Sequence, residues 1–471
     1  MRLSPLDHET AQCLNGMAAG LEEGLVAARI FNDERIHRAE LERVFGRAWT
    51  FMAHESEIPA PGDYVLRYIG TDPFIVVRDE GGTVCVLFDA CRHRGAQVCR
   101  AERGNASHFR CSYHGWTYKN TGEMIGAPSF RDAYPNLDRS RWGLIAAAKV
   151  DQVHGFIFAT LDPDAPDLDD YLGGMRWYLD LMFAINRSGL EVVGEPQRWN
   201  MRSDWKSGAD NFSGDDYHTL FLHKSMGEIG AIPIDARANM TGYHIQAGNG
   251  HCLSFSIAES AEDGGPTFWG FPAGIVETFD ASAVSPKQFD IARRSRVAVG
   301  NIFPNLSFLL SPLTVKPRTV EPVTVFTIRQ WQPRGPGRTE AWVWFLTWKD
   351  APQADRAKVY QAGIGTFSAG GIFEQDDAEP WQSIARGARS TVARTHDLQL
   401  NYQMGLGASP SARFEPEWPG PGVAFRPRYE EGVQRALYRR WLDYMESEVY
   451  PAPRPASPPL AAEARTARAH A

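Results

Sequence analysis

Residues 88–118 read FDACRHRGAQVCRAERGNASHFRCSYHGWTY, and two turns inside this stretch share one grammar. Cys91 is followed by His93 and Gly95; Cys111 is followed by His114 and Gly115. The pattern is Cys-x-His, seventeen residues, Cys-x-x-His. Each pair lies where a short run of β-branched or aromatic residues gives way to a turn, so the spacing predicts two hairpin tips. Tips lying side by side would gather two thiols and two imidazoles around one centre. A structural zinc site groups like ligands, two cysteines close together and then two histidines. Here each loop carries one of each kind.

That division suits a Rieske 2Fe–2S centre, in which two thiolates hold one iron and two imidazoles the other. Gly95 and Gly115 would let backbone approach the sulfurs, and Trp116 would shield them from water. Rieske proteins of respiratory chains have an extra cysteine in each loop; Ala96 and Tyr113 stand there instead. The centre therefore resembles the low-potential kind that feeds an oxygenase. Cys85 and Cys99 read as ordinary core or surface thiols.

Outward from these loops the pattern stays that of strands. Runs at 64–69, 74–78, 83–89, 109–113, 116–118 and 155–161 are separated by Gly- and Pro-containing turns, which makes 50–165 a β domain. Before it, 33–49 reads as a helix capped by Asn32 or Asp33, part of a helical segment 1–49 assigned to the catalytic domain. The acidic, proline-containing stretch 162–170 marks a boundary. In the second half, 205–223, 352–366 and 380–389 read as helices. The runs 241–247, 253–257, 306–310, 323–331 and 340–348 read as strands, the last two joined by a hairpin loop at 332–339. Clustered strands and helices predict an α+β catalytic domain, 166–450, on an antiparallel sheet. The Pro- and Ala-rich 451–471 reads as a disordered tail.

The second constellation is WKSGADNFSGDDYHTLFLH, residues 205–223. On one continuous helix a spacing of five would put His218 and His223 about 140° apart, so they share a metal only if the helix distorts or ends. Asn211, Asp215 and His218 fall on one stripe. Two histidines and one carboxylate form the facial triad of non-haem Fe(II) oxygenases. The carboxylate must come from elsewhere, and 373–381, FEQDDAEPW, offers Asp376 and Asp377. Either could instead cap a helix beginning near Pro380.

Together these motifs resemble the α subunits of Rieske non-haem iron aromatic ring-hydroxylating dioxygenases, the naphthalene and biphenyl dioxygenase group above all. The resemblance runs to about residue 450. The cluster motif matches Cys91, His93, Cys111 and His114; the iron motif N-x-x-x-D-x-Y-H-x₄-H matches Asn211, Asp215, Tyr217, His218 and His223. The phrase 302–307, IFPNLS, also looks like a family segment, and the late E-x-D-D segment carries the carboxylate ligand to Asp377. The resemblance implies a Rieske domain, a helix-grip-like catalytic domain, and a head-to-tail trimer, α3 or α3β3 with a small β subunit. It implies that Asp215 bridges His114 of one subunit to His218 of the next, with Asn211 beside it. The implied cofactors are one 2Fe–2S cluster and one mononuclear Fe(II). The implied reaction takes O₂ and an aromatic substrate to a cis-dihydrodiol, with Phe212, Phe221, Leu222, Met226 and Phe367 around the ring or packed as core.

Composition sets the outer limits. The chain has 471 residues, a net charge of -8 and 43% hydrophobic residues. That is globular, with no basic field for nucleic acid. No apolar run reaches the ~20 residues of a membrane helix, and no secretory signal is read at the start. Six cysteines in a chain this long fit a reducing, cytoplasmic setting. Gly248-Asn249-Gly250 lacks the third glycine of a dinucleotide fingerprint, so NAD(P)H electrons are expected through a separate reductase or ferredoxin. The alternatives are a Rieske monooxygenase acting on an aromatic acid and, more remotely, an electron-carrying Rieske protein.

Overall fold

The computed structural model describes residues 3–229, 241–258, 267–313, 323–407, 413–426 and 428–456. The chain divides into two compact units. One holds Phe45–Leu168; the other holds the preceding residues up to Val44 and those from Asp169 onward.

Three small antiparallel sheets build the first unit. Val84–Phe88, Asp72–Arg78, Asp63–Ile69 and Arg103–Asn105 lie side by side in that order. His108–Arg110, Thr117–Lys119 and Met124–Gly126 form the second sheet; Lys149–Val153, Phe156–Thr160 and Thr50–His54 form the third. The turn before Val84 is made by Asp79, whose carboxylate accepts from the amides of Gly81 and Thr83 at 2.9 and 2.8 Å. Ile75, Val77, Leu87 and Tyr118 share one core with Cys91, Cys111 and Trp116, so the expected ligand loops close over the hydrophobic centre of this unit.

The second unit is built on an antiparallel sheet of ten strands among the described residues. Its middle is Ser295–Ile302, Leu306–Leu313, Val323–Gly335 and Arg338–Trp348. The last two strands are longer than the sequence implies, and the loop between them shrinks to Pro336 and Gly337. Side chains alternate between the faces. Phe308 and Phe326 meet Phe183 of the helix Gly174–Phe183 on one face. On the other, Val325, Val343 and Phe345 pack on Ala362, Phe367 and Phe373. Three helices on that second face matter here: α1 (Trp205–Phe212), α2 (Gln353–Phe367) and α3 (Ile372–Ala388). The mixed α+β architecture with an antiparallel catalytic sheet is the one the element pattern predicts.

Several local expectations are corrected. The helix expected at 33–49 is Glu34–Glu40, continued by a wider π turn to Phe45; Asp33 caps it, accepting from Arg35 N at 2.8 Å. The helix expected at 205–223 ends at Phe212, because Gly214 takes φ +131°, open to glycine and strained for other residues. The helix expected from Pro380 begins at Ile372, capped by Gly371, and carries Pro380 in its interior. Asp376 and Asp377 therefore cap nothing. The expected disordered tail begins ordered: Arg454 exchanges two 2.8 Å hydrogen bonds with Asn249, and Ala452 O accepts from Arg440. The rest of that expectation, 457–471, lies outside the described residues.

Candidate metal centres

In the first unit the two ligand loops are built alike. Cys91 N donates to Ala96 O and Gly95 N to Cys91 O; Cys111 N donates to Trp116 O and Gly115 N to Cys111 O, all at 2.8–3.0 Å. Each loop turns back at its glycine, at φ +74° and +72°. A Cβ on Gly115 would also meet Pro128 at 2.9 Å. Both thiols are buried and the imidazoles stand together, the rings of His93 and His114 4.4 Å apart. Trp116 stacks on His93 at 5.0 Å and 6°. His93 Nδ1 is buried without a hydrogen-bond partner. Burial raises the Cys91 thiol above its ordinary value, and the neighbouring Cys111 adds to the rise. A bound cation reverses that balance, because the thiolate is the ligand. The donor set and the orphaned imidazole nitrogen fit a 2Fe–2S cluster. Tyr118, not singled out in the sequence, completes the loop. Its hydroxyl accepts from Arg92 N at 3.1 Å, which leaves its hydrogen for Cys91 Sγ at 3.2 Å.

In the second unit the chain breaks after α1 and re-forms as a short turn, His218–Leu220, then a helix Lys224–Glu228. The break turns both imidazoles toward α3. His218 Nε2 and His223 Nε2 lie 3.2 Å apart, and Asp377 Oδ1 lies 3.5 and 3.3 Å from them. Asp377 Oδ1 is buried with no hydrogen-bond partner. A point in the plane of these three atoms is about 1.9 Å from each, just short of the 2.0–2.2 Å of metal–nitrogen and metal–carboxylate bonds. His218, His223 and Asp377 would hold a divalent ion through these three atoms.

The far nitrogens of both rings are already taken. His218 Nδ1 faces the backbone carbonyl and Oδ2 of Asp215, the latter at 3.5 Å, and Asn211 Nδ2 at 3.3 Å. His223 Nδ1 faces Asp376 Oδ2 at 3.4 Å. Such partners fix the ring so that Nε2 presents its lone pair to a metal. Burial disfavours protonation of His218, yet Asp215 and then Asp377 outweigh it and lift its pKa to about 9. Without a cation the trio would hold a proton; one divalent ion replaces it. The role of Asp376 was missed because its partner is set by the turn of α3, which a helix start placed at Pro380 conceals. Of the paired candidates, Asp377 joins the trio and Asp376 backs His223.

The five apolar candidates do not share one wall. Phe212 packs on Trp331 at 5.6 Å, while Phe367 and Met226 belong to the cluster between sheet and helices. Phe221 and Leu222 instead border a cavity of about 810 Å³ with Asn211, Asp215, Tyr217 and His218. Phe221 is 76% exposed at the rim of that cavity, on the turn after the helix break. Below that cavity Asp210 accepts from Tyr402 at 2.6 Å and from Tyr438, and burial pushes its pKa up to about 7. Asp216 holds His244 at 2.8 Å and Arg428 at 3.0 Å; burial works against its charge, but these cations outweigh it and bring its pKa to about 2. None of these carboxylate networks was legible as a motif.

Comparison with known proteins joins both centres to one family. Residues 48–138 match the Rieske [2Fe-2S] domain, and 168–447 match the ring hydroxylating alpha subunit catalytic domain. The α subunit of N,N-dimethyl phenylurea N-demethylase from Sphingobium sp. (strain YBL2) is 38% identical, over 91% of this chain and 93% of that protein. The α subunit of biphenyl 2,3-dioxygenase from Rhodococcus jostii (strain RHA1) is 35% identical, over 90% and 89%. The crystal structure of naphthalene 1,2-dioxygenase from Rhodococcus sp. superposes with a TM-score of 0.89 at 44% identity, over 94% of this chain and 99% of that one. With one domain for a 2Fe–2S cluster and one of the kind that binds mononuclear iron, the chain belongs to the α subunits of the Rieske ring-hydroxylating oxygenases, a family of oxidoreductases.

Proposed function

We propose that this chain is the large subunit of a terminal oxygenase that adds both atoms of O₂ to an aromatic ring, giving a cis-dihydrodiol. The observation that carries the reading is the trio His218, His223 and Asp377 in a chain that also has the cluster loops. Iron at the trio, when bound, supplies O₂ activation, and the cluster supplies the electrons. The chain's own residues hold and orient. Asn211 and Asp215 fix His218; Asp376 fixes His223. Cys91, Cys111, His93 and His114 are the proposed cluster ligands. Phe212, Met226 and Phe367 are packed as core, on Trp331 and between sheet and helices, and back the trio rather than line a cavity.

The proposed partners are an aromatic substrate, O₂, a ferredoxin or reductase carrying electrons from NAD(P)H, and further copies of the chain in an α3 or α3β3 assembly in the cytoplasm. Among the described residues no helix is long and apolar enough to cross a membrane. The Asp215 side chain is 36% exposed beside the 810 Å³ cavity, so its carboxylate remains available to a second imidazole. His114 of a neighbouring copy is the proposed second donor. Mixed trimers of Cys91→Ser and His218→Ala chains test this: recovered turnover supports a route between subunits, and none in verified mixed trimers refutes it.

A second reading has its own support. The phenylurea N-demethylase relative points to attack on an N-methyl group, a one-oxygen outcome. Aerobic turnover of the loaded protein with a surrogate reductase and ferredoxin, under oxygen-18, separates the two. Naphthalene and biphenyl should yield ring diols with two labelled atoms. Formaldehyde from aryl dimethylureas without labelled diols would favour the second reading, and no oxygenated product from any aromatic would overturn both.

A further inference from the structure

Arg329 stands on the strand Val323–Gly335, on the sheet face that carries α1, α2 and α3. It is wholly buried, as is Glu374, whose Oε2 accepts from Arg329 Nη1 at 2.5 Å. The guanidinium lies against Phe212 at 4.7 Å and Phe367 at 4.4 Å from the ring centroids. Arg329 Nε and Nη2 and Glu374 Oε1 have no hydrogen-bond partner and no exposure to water. A dry ion pair left partly unsatisfied is a poor way to hold a core together, since an apolar pair of the same volume packs as well or better. What it adds is direction: a planar fork fixes the angle of its partner, which apolar packing does not.

Each member of the trio leads back to this guanidinium within a few contacts. Glu374 precedes Asp377 by three residues on α3, so the two share a face and turn together. Phe367 packs on Phe373, whose ring lies 5.1 Å from that of His223. Phe212 follows Asn211, which faces His218. We propose that Arg329 is a positioning residue for the metal trio: through Glu374 it sets the rotation of α3, and through Phe212 and Phe367 it sets the seats of the two histidines. This rests on the reading of the trio as an iron site.

The test separates positioning from packing, using Fe(II) binding to the apo-trio under anaerobic conditions and the EPR linewidth of its nitric oxide adduct. Arg329→Met leaves Glu374 able to take a proton, since burial already pushes its pKa up to about 7. The paired variant Arg329→Met/Glu374→Leu should melt within a few degrees of the parent, yet bind Fe(II) at least tenfold more weakly with a broadened adduct signal. Arg329→Lys keeps the charge and loses the fork; it should fold normally and weaken Fe(II) three- to tenfold. Wild-type affinity and linewidth in the paired variant, or in Arg329→Lys should the pair fail to fold, overturns the proposal. The Rieske absorption, from the other unit, should be unchanged throughout. If the parent chain binds no Fe(II) that His218→Ala abolishes, the iron-site reading itself fails.

Discussion

The cluster loops hold their four side chains with hydrogen bonds made inside each six-residue turn, whereas the proposed metal trio joins segments far apart: Asp376, next to Asp377 of the trio, faces His223 across a sequence separation of 153. The loops need only two glycines in the left-handed region and a hydrophobic core behind them. The trio needs a helix broken at Gly214, a second helix turned to a fixed angle, and a sheet beneath both. The lesson is that the first centre should fail locally and completely when a ligand is lost. The second should fail by degrees, as its remote supports are removed.

The largest expected effect is on the local side. Cys91→Ser should abolish the Rieske absorption and EPR signals while the trio still binds Fe(II). A normal Rieske signal in that variant would remove Cys91 from the ligand set. On the tertiary side, Asp377→Ala should strip iron from the trio and leave the cluster spectrum intact. Asp376→Ala should cost less, about 10- to 100-fold in Fe(II) affinity, the usual loss when a hydrogen-bond partner of a ligating histidine is removed. Equal affinity in Asp376→Ala and the parent would reduce Asp376 to a bystander.

Asp215→Asn is expected to keep both centres loaded and to slow electron transfer between them by orders of magnitude. An amide cannot accept from two imidazoles as a carboxylate can. Single-turnover oxidation of the reduced cluster, with substrate and O₂ present, is the measurement; a near-parental rate would refute the bridging role.

A pH difference between the two regions follows from His244. Burial opposes its charge, but its bonds to Asp216 and Glu430 outweigh this and raise its pKa to about 9 from 6.5. A raised histidine contributes stability that is complete below pH 6.5 and lost as the pH rises through 9. The catalytic unit should therefore melt at progressively lower temperature between those values. Retention of iron at the trio should weaken before the cluster colour fades. His244→Gln should flatten that slope; an unchanged slope would assign it to another group.

The smallest effect belongs to Tyr118→Phe. Removing a hydrogen bond from Cys91 Sγ should lower the cluster's reduction potential, by about 40 mV for each kcal/mol by which the bond favours the reduced, more negative state. Potentiometric titration of the Rieske signal checks this, and an unchanged potential would show that the hydroxyl serves only Arg92 N.

How much was legible follows the same division. The proposed cluster set was readable because its four candidate residues are placed by spacing within single turns, and the strands around it because their side chains alternate with short turn signals between them. The two histidines proposed to hold iron were readable as a motif, together with the condition that the helix must break to bring them together. The start of α3 was misplaced because Pro380 sits where a first helical turn is expected, and the true start, Gly371–Ile372, has no side-chain cap to mark it.

The sequence by itself determined the two ligand grammars, the β and α+β character of the two units, and the absence of a long apolar span. Residue pattern left Asp376 and Asp377 open and the family resemblance pointed to Asp377; the tertiary structure alone showed that Asp377 faces both histidines, that Asp376 lies beside His223, and that a buried Arg329–Glu374 pair ties α3 to the sheet. It also separated Phe221 and Leu222 from Phe212, Met226 and Phe367, which the pattern had grouped together. The reason is physical. A turn places side chains through bonds within a few residues, so its geometry is written in spacing. The direction a helical carboxylate faces is set by rotation about the helix axis, and that rotation is fixed by partners far away in the chain.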